Sequence, residues 1–417
     1  MFTLKNGLCF IDGEFKRKNI IIDGEKIVEI SAAEKGNIID VSDCLLCGSF
    51  IDLHTHAREP GYTNKGTIKT ESEAAAHGGY TTCFLMPNVK PVPCNRENLE
   101  LINNIIARDS KIDLHQIASI TYDQSGKGNK LSDMEKIKDL CVGFSDDGNG
   151  VVSSKTMYEA MKIASKLDMP IISHSEDKDL VCGGVVTTGE YGKLHHLPMI
   201  DPLSEALEAE RNCLLAYKTG CRLHICHVSS LDTVRIVNYY KNLGANITIE
   251  VTPHQLTLCD MDIKNSNYKM NPPLSTPDVR DALVEALRNG KIDCISTDHA
   301  PHTKEEKEAD LLHAPFGIIG LETAFPVLYT DLVKKGHLEL KELLILLNKK
   351  PAQIMKLKEN KLEVGADANI VVVNLENEYE ITSDFFKSKA TNSPYIGKKV
   401  YGRIEKTYYK GDAVYER

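Results

Sequence analysis

The sequence has no basic excess: 50 lysines and arginines stand against 59 aspartates and glutamates, a net charge of -9. A chain of that sign offers no electrostatic footprint for a phosphate backbone, so nucleic acid is not an expected partner. A small anionic substrate stays open, because one local arginine can override the overall sign. No apolar run approaches the length needed to span a bilayer, which argues against a membrane partner. The N-terminal MFTLKNGLCFIDG has no basic segment ahead of a long apolar core, so no signal peptide is expected. There is no Ser/Gly-rich linker and no low-complexity tract. No GxGxxG or GxxxxGKS/T opens a helix after a strand, which weakens the case for a doubly wound nucleotide-binding sheet. The twelve cysteines lack a compact spacing framework, in a chain large enough to build a core without staples. Reduced thiols in a cytoplasmic protein are expected. Cys44 and Cys47 form a CxxC with no second pair at finger spacing, and read as buried thiols.

What is present divides the 417 residues into ends and middle. Both ends read as β-structure. NIIIDGEKIVEI holds two apolar stretches joined at Asp23-Gly24, and Asp12-Gly13 marks a turn before it. Near the other end, ANIVVVNL and RIEKTYYKGDAVYER read as strands with a turn at Gly411-Asp412. Between them, short apolar runs such as TTCFLMPN, MPIISHSED, RLHICHVSS and KIDCISTDH alternate with helical segments such as SKTMYEAMKIASKL and DPLSEALEAERNCLLAYKTG. That alternation predicts an α/β fold with a parallel sheet, and the span suits a (β/α)8 TIM-like barrel. A barrel brings its two ends close together, so residues 1–47 and 361–417 would form one small composite β-sandwich around a barrel of 48–360.

Reading each strand to its carboxyl end gives a series of polar residues. FIDLHTHAREPG ends in His54 and His56, TTCFLMPN in Asn88, and FSDDG carries Asp146 and Asp147. IISHSED ends in His174, HICHVSS in His227, and ISTDHAPH in Asp298, His299 and His302. In a barrel these ends gather around one mouth, where active sites sit. His54 and His56, two apart, project from the same side of a strand. Four imidazoles and two carboxylates suit zinc, and are enough for two ions sharing a bridge. Spacing does not choose between Asp146 and Asp147, though Asp146 also suits a turn or cap. His195-His196 lies in a polar loop and reads as solvated, while strand alternation points His224 away from His227. TKEEKEADLLHAPFG, after Asp298, is either a lid over the mouth or a solvated charged face.

Taken together, DLHTHAREPG, GGYTTCFLMPN, FSDDG, ISHSED, CHVSS, EVTPH, YKMNPPL, STDHAPHT and APFGIIGLETAFP resemble, in order, the blocks of the amidohydrolase superfamily and within it the class I dihydroorotases. Gln255, after His254, departs from a block that often carries a second histidine. The resemblance implies His54, His56 and Asp298 on one zinc, His174 and His227 on the other, and Asp147 as the bridge, with two zinc ions per subunit, or one if the shorter bridge binds the second weakly. Hydantoinases use a carboxylated lysine at that bridge, and FSDDG offers none. The family pattern gives the substrate carboxylate to Arg58, Asn88 and His302, the ring to Asn271, Phe316 and Gly317, and proton transfer to Asp298. The implied reaction is reversible cyclisation of N-carbamoyl-L-aspartate to L-dihydroorotate. The alternatives are a related hydantoinase or allantoinase, or a non-catalytic partner of aspartate carbamoyltransferase. A homo-oligomer, or a complex with that transferase, is the expected assembly.

Overall fold

Two Asp/Gly turns start the fold. In the computed structural model, which describes residues 1–128 and 130–417, strands Phe2–Ile11 and Glu14–Asp23 are joined by Asp12 and Gly13. These residues have φ of 52° and 80°, the pair of positive values that a tight two-residue hairpin requires. The next turn falls on Gly24-Glu25, one residue beyond the Asp-Gly pair, and leads into Lys26–Ser31. Near the other end Tyr409 pairs with Asp412, so Lys410 and Gly411 make the turn, one residue earlier than expected. Lys410 takes a φ of 49°, which lets it fill the position.

These hairpins belong to one eight-stranded sheet. Cys44–Gly48 pairs in parallel with Phe2–Ile11 on one side and antiparallel with Ile370–Asn374 on the other. Ile370–Asn374 then pairs with Arg403–Tyr409, which pairs with Asp412–Glu416. The two ends of the chain therefore share a sheet. Leu4, Ile20, Ile27 and Leu46 from the first part pack with Ile370, Val372 and Tyr408 from the last in one buried cluster.

The middle of the chain is parallel. Phe50–Thr55, Tyr80–Leu85 and Asp113–Gln116 form one sheet. Ile171–Ser173, Leu223–Ile225, Ile247–Val251 and Cys294–Ile295 form another, in that order. Single parallel bridges run from Ala118 to Phe144 and from Phe144 to Ile171 at one edge, and from Thr55 to His299 at the other. Helices follow the strands. Ser154–Leu167, capped by the Ser153 hydroxyl, and Leu203–Thr219, stopped by Gly220 at a φ of 68°, fall where the helical segments were expected. Their apolar faces pack on strand residues such as Ile171, Leu223 and Ile249 in the largest buried cluster. Ile51, Phe84, Ile172 and Cys226, contributed by both parallel sheets, make a separate buried layer. Among the described residues no helix is long and apolar enough to cross a membrane.

Candidate metal centre

The carboxyl ends of the parallel strands converge. His54 is the last residue but one of Phe50–Thr55, and the chain continues to His56, whose backbone N–H donates to the His299 carbonyl at 2.9 Å. Asp147 follows the bridging residue Phe144, His174 directly follows Ile171–Ser173, His227 lies two beyond Leu223–Ile225, and Asp298 three beyond Cys294–Ile295. His227 and Asp298 take positive φ, 36° and 50°, as does Arg58 at 65°. Non-glycine residues in that region cost energy and cluster at functional sites, where surrounding packing holds them. Here all three residues line one cavity.

The six side chains stand at ligand spacing. His54 Nε2 lies 3.3 Å from Asp147 Oδ1 and 3.4 Å from Asp298 Oδ1, and His56 Nε2 lies 3.1 Å from Asp298 Oδ1. His174 Nδ1 lies 2.9 Å from His227 Nε2 and 3.7 Å from Asp147 Oδ1, which is 3.9 Å from His227 Nε2. Ligands about 2.0–2.1 Å from a tetrahedral zinc stand about 3.3 Å apart, a spacing that these separations bracket. Among the described residues four groups of such donors occur; two lie in this cluster, His54 with His56 and Asp298 and His54 with Asp147 and His227, and two lie beneath it, His54 with Cys226 and Glu250 and His224 with Glu250 and Cys294. His54 Nε2 and Asp147 Oδ1 are buried without a hydrogen-bond partner. Buried polar atoms are ordinarily satisfied, and a cation would satisfy both. Burial opposes ionisation of Asp147 and Asp298, yet the imidazoles of His54, His56 and His227 hold both carboxyls below the usual range.

A cavity of about 180 Å³ opens above the cluster, lined by His56, Asp147, His174, His227 and Asp298, and beside them Arg58, Asn88, Asn271, Phe316 and Gly317. His54 lies beneath it, fully buried. His302 is not among the lining residues. It sits behind Arg58, with its Nε2 3.4 Å from Arg58 Nη2 and 2.9 Å from the Phe316 carbonyl. Burial and the Arg58 charge push His302 down to about 3. Arg58 is fixed by donating Nε–H to the Pro301 carbonyl at 3.1 Å. Asn88 donates to the Asp147 carbonyl at 2.8 Å and leaves its buried Oδ1 unpaired. Asn271 donates to Glu176 Oε1 at 2.9 Å, and the other oxygen of Glu176 faces His174.

The remaining candidates separate. Asp146 turns away from the cluster and accepts from the backbone of Ile120 and Thr121, a loop-holding role. His195 and His196 are exposed. Among the described residues, neither Cys44 nor Cys47 joins a group of metal-ligating atoms. The charged segment after His302 is not simply solvated. Lys307 is buried and donates to the carbonyls of Lys269, Pro315 and Gly317, tying the segment to the cavity wall, and burial pushes its amine down to about 7. Contrary to the alternation argument, His224 points inward: its Nε2 lies 3.0 Å from Glu250 Oε2, and Glu250 Oε1 lies 3.0 Å from His54 Nδ1. Strand geometry ends at Ile225, so the two-residue period does not extend to His227.

Known proteins resemble this chain along its whole length. A family model described as dihydro-orotase-like matches residues 43–233. A curated dihydroorotase of Staphylococcus epidermidis is 43% identical over 424 residues, covering 100% of this chain and 99% of the relative. One of Geobacillus kaustophilus is 45% identical over 423 residues, covering 99% and 98%. Among solved structures, the L-hydantoinase (dihydropyrimidinase) from Arthrobacter aurescens superposes with a TM-score of 0.88 at 25% identity, covering 100% of this chain and 96% of that one.

Proposed function

The chain belongs to the dihydroorotase family, and we propose that its centre is a zinc pair bridged by Asp147, with His54, His56 and Asp298 on one ion and His174 and His227 on the other. The protein is a cyclic amide hydrolase that interconverts L-dihydroorotate and N-carbamoyl-L-aspartate in pyrimidine (UMP) biosynthesis. Six donor side chains from five strand ends meet at ligand spacing, and that convergence carries the metal assignment. The parallel strands of residues 48–360 are taken as one (β/α)8 barrel, supported by the bridges at both sheet edges and by the hydantoinase likeness. Residues 1–47 with 361–417 are taken as the composite β-sandwich, supported by their shared sheet.

A divalent cation at such a site lowers the pKa of a bound water and polarises a carbonyl oxygen. The protein's own groups do the rest. Arg58, with a fixed guanidinium at the cavity wall, grips the ring carboxylate with two parallel hydrogen bonds; Asn88, expected on that carboxylate, spends its N–H on the Asp147 carbonyl, so its free Oδ1 takes a ring N–H instead. Asp298 takes a proton from the attacking water as the new C–O bond forms, then gives it to the ring nitrogen as the C–N bond breaks. Ring opening turns a neutral amide carbonyl into a carboxylate and releases a proton, so lower pH favours dihydroorotate.

Arg58 separates this substrate from neutral cyclic amides. Charge-assisted hydrogen bonds contribute about 1.5–3 kcal/mol each. With two such bonds lost, Arg58→Met is expected to lower kcat/KM for dihydroorotate by about 10²–10⁴-fold. Its rate with dihydrouracil, the same ring without the carboxylate, should change by less than about tenfold. Equal losses on both rings would remove Arg58 from the clamp.

Gly317 also lines the cavity, at a φ of 131°, and a methyl there would come within 2.9 Å of the Ala300 Cβ and 3.0 Å of His302 Nε2. Gly317→Ala is expected to raise KM about tenfold, through displacement of Phe316 and His302, and to cost about 1–3 kcal/mol of stability. Steady-state kinetics beside thermal unfolding measures both, and an unchanged KM would show that this wall does not touch substrate.

A further inference from the structure

Beneath the metal centre, away from the cavity, lies a chain of polar side chains, all buried but the half-buried Thr248 at its end, to which the reaction assigns no task. His54 Nδ1 is 3.0 Å from Glu250 Oε1, Glu250 Oε2 is 3.0 Å from His224 Nε2, and His224 Nδ1 is 2.8 Å from the Thr248 hydroxyl. His54 and Glu250 are fully buried, and His224 is 1% exposed. Glu250 and Thr248 lie two apart on Ile247–Val251, and His224 is the register partner of Thr248 on the neighbouring strand. Strand period alone therefore stacks the three on one side.

We propose that Glu250 and His224 are positioning residues that lock the His54 ring in the tautomer and orientation that present Nε2 to the metal. The proton positions follow from what each group can do. A carboxylate only accepts, so both imidazole nitrogens facing Glu250 must carry hydrogens. With Nδ1 protonated, a neutral His54 keeps its lone pair on Nε2, the atom within 3.4 Å of both Asp147 and Asp298. With Nε2 protonated, a neutral His224 has its lone pair on Nδ1, and the Thr248 hydroxyl donates to it. Thus every hydrogen in the chain has one place, and the only free acceptor is the His54 nitrogen that faces the cation site. His224 keeps the second oxygen of Glu250 from being a buried acceptor without a donor.

The arrangement singles out His54. Its ring stands in both donor triads at the mouth and in a third group beneath, with Cys226 and Glu250, whereas the outward nitrogens His56 Nδ1 and His227 Nδ1 have no hydrogen-bond partner. Glu176 serves His174 only at 3.7 Å. One anchored imidazole therefore fixes the ion that His54 shares with His56 and Asp298, and through the Asp147 beside it steadies the pair.

This inference rests on the metal reading above, so zinc affinity of the unmodified protein is measured first, by competition with a chromophoric chelator. Failure to bind zinc there would end that reading itself. Loss of an outer-shell partner typically weakens a metal site about 10–100-fold, and Glu250→Gln is expected to raise the zinc Kd by that factor, with a shifted visible spectrum for the cobalt form. Thr248→Val touches only the far end of the chain and should leave the Kd within about twofold of the unmodified value, since His224 can still donate to Glu250. A folded Glu250→Gln protein with unchanged zinc Kd overturns the proposal, and so does an equal loss in Thr248→Val, which would mark a general packing effect. Should the glutamine variant not fold, His224→Leu replaces it. Loss of the donor to Glu250 is then expected to weaken zinc several-fold, and an unchanged Kd overturns the proposal equally.

Discussion

Asp298→Asn is expected to lower kcat/KM by about 10²–10⁴-fold, the usual worth of a positioned general acid–base group. The amide oxygen can still face the cation site, but the amide cannot accept and return a proton. Asp298 stands at the mouth, with one oxygen 3.1 Å from His56 and 3.4 Å from His54, and its φ of 50° holds it there. The loss must be equal for ring opening and ring closure, because the ratio of the two kcat/KM values is fixed by the equilibrium in solution. That equality is an internal control: unequal losses would reveal a faulty assay before any conclusion about the residue. Metal content, measured on the same preparation, should match the unmodified protein. Near-normal turnover with full metal content would move the proton-transfer task to another group.

Metal removal should have the other large effect. Prolonged chelation is expected to take turnover to background and added zinc to restore it, because Asp298 is too weak a base to deprotonate a water that no cation has made acidic. The same titration reads stability. A ligand that binds only the folded state stabilises by about 4 kcal/mol at a thousand times its Kd, so the melting temperature should climb with free zinc. The atoms left unpaired without a cation, His54 Nε2 and Asp147 Oδ1, give that climb its physical origin. Full activity in protein verified to be metal-free would dispose of the metal centre altogether.

Much of this was legible in the sequence because strand ends are local. An apolar run stopped by HTH, SDDG, SHSED or STDHAPH announces both a strand and what it carries, and each of those residues lies at or just beyond a strand end. Turns were legible to within one residue, since a positive φ suits glycine but also Lys410. The layer below the mouth was not. Glu250 in ITIEV looks like a stray charge in a buried strand, and only its neighbours in space, His54 and His224, explain it. His224 was misjudged because alternation was carried past Ile225, where the strand stops. His302 and Asn271 show a related limit. A motif can bring a residue to the cavity, but the bonds to Phe316 and Glu176 depend on packing between distant segments.

The sheet shared by the two chain ends has a consequence for biosynthesis. Gly48 pairs with Ile370, roughly 320 positions downstream, and a ribosome adding about 5–20 residues per second reaches that partner about 15–65 s later. Throughout that interval the strand Cys44–Gly48, with Leu45 and Leu46 at its centre, has one open edge exposed to any other nascent chain. This layer of the molecule is therefore finished only after most of the polypeptide has been made, and shielding its bare flank is a job for the chaperones that meet it on the way out.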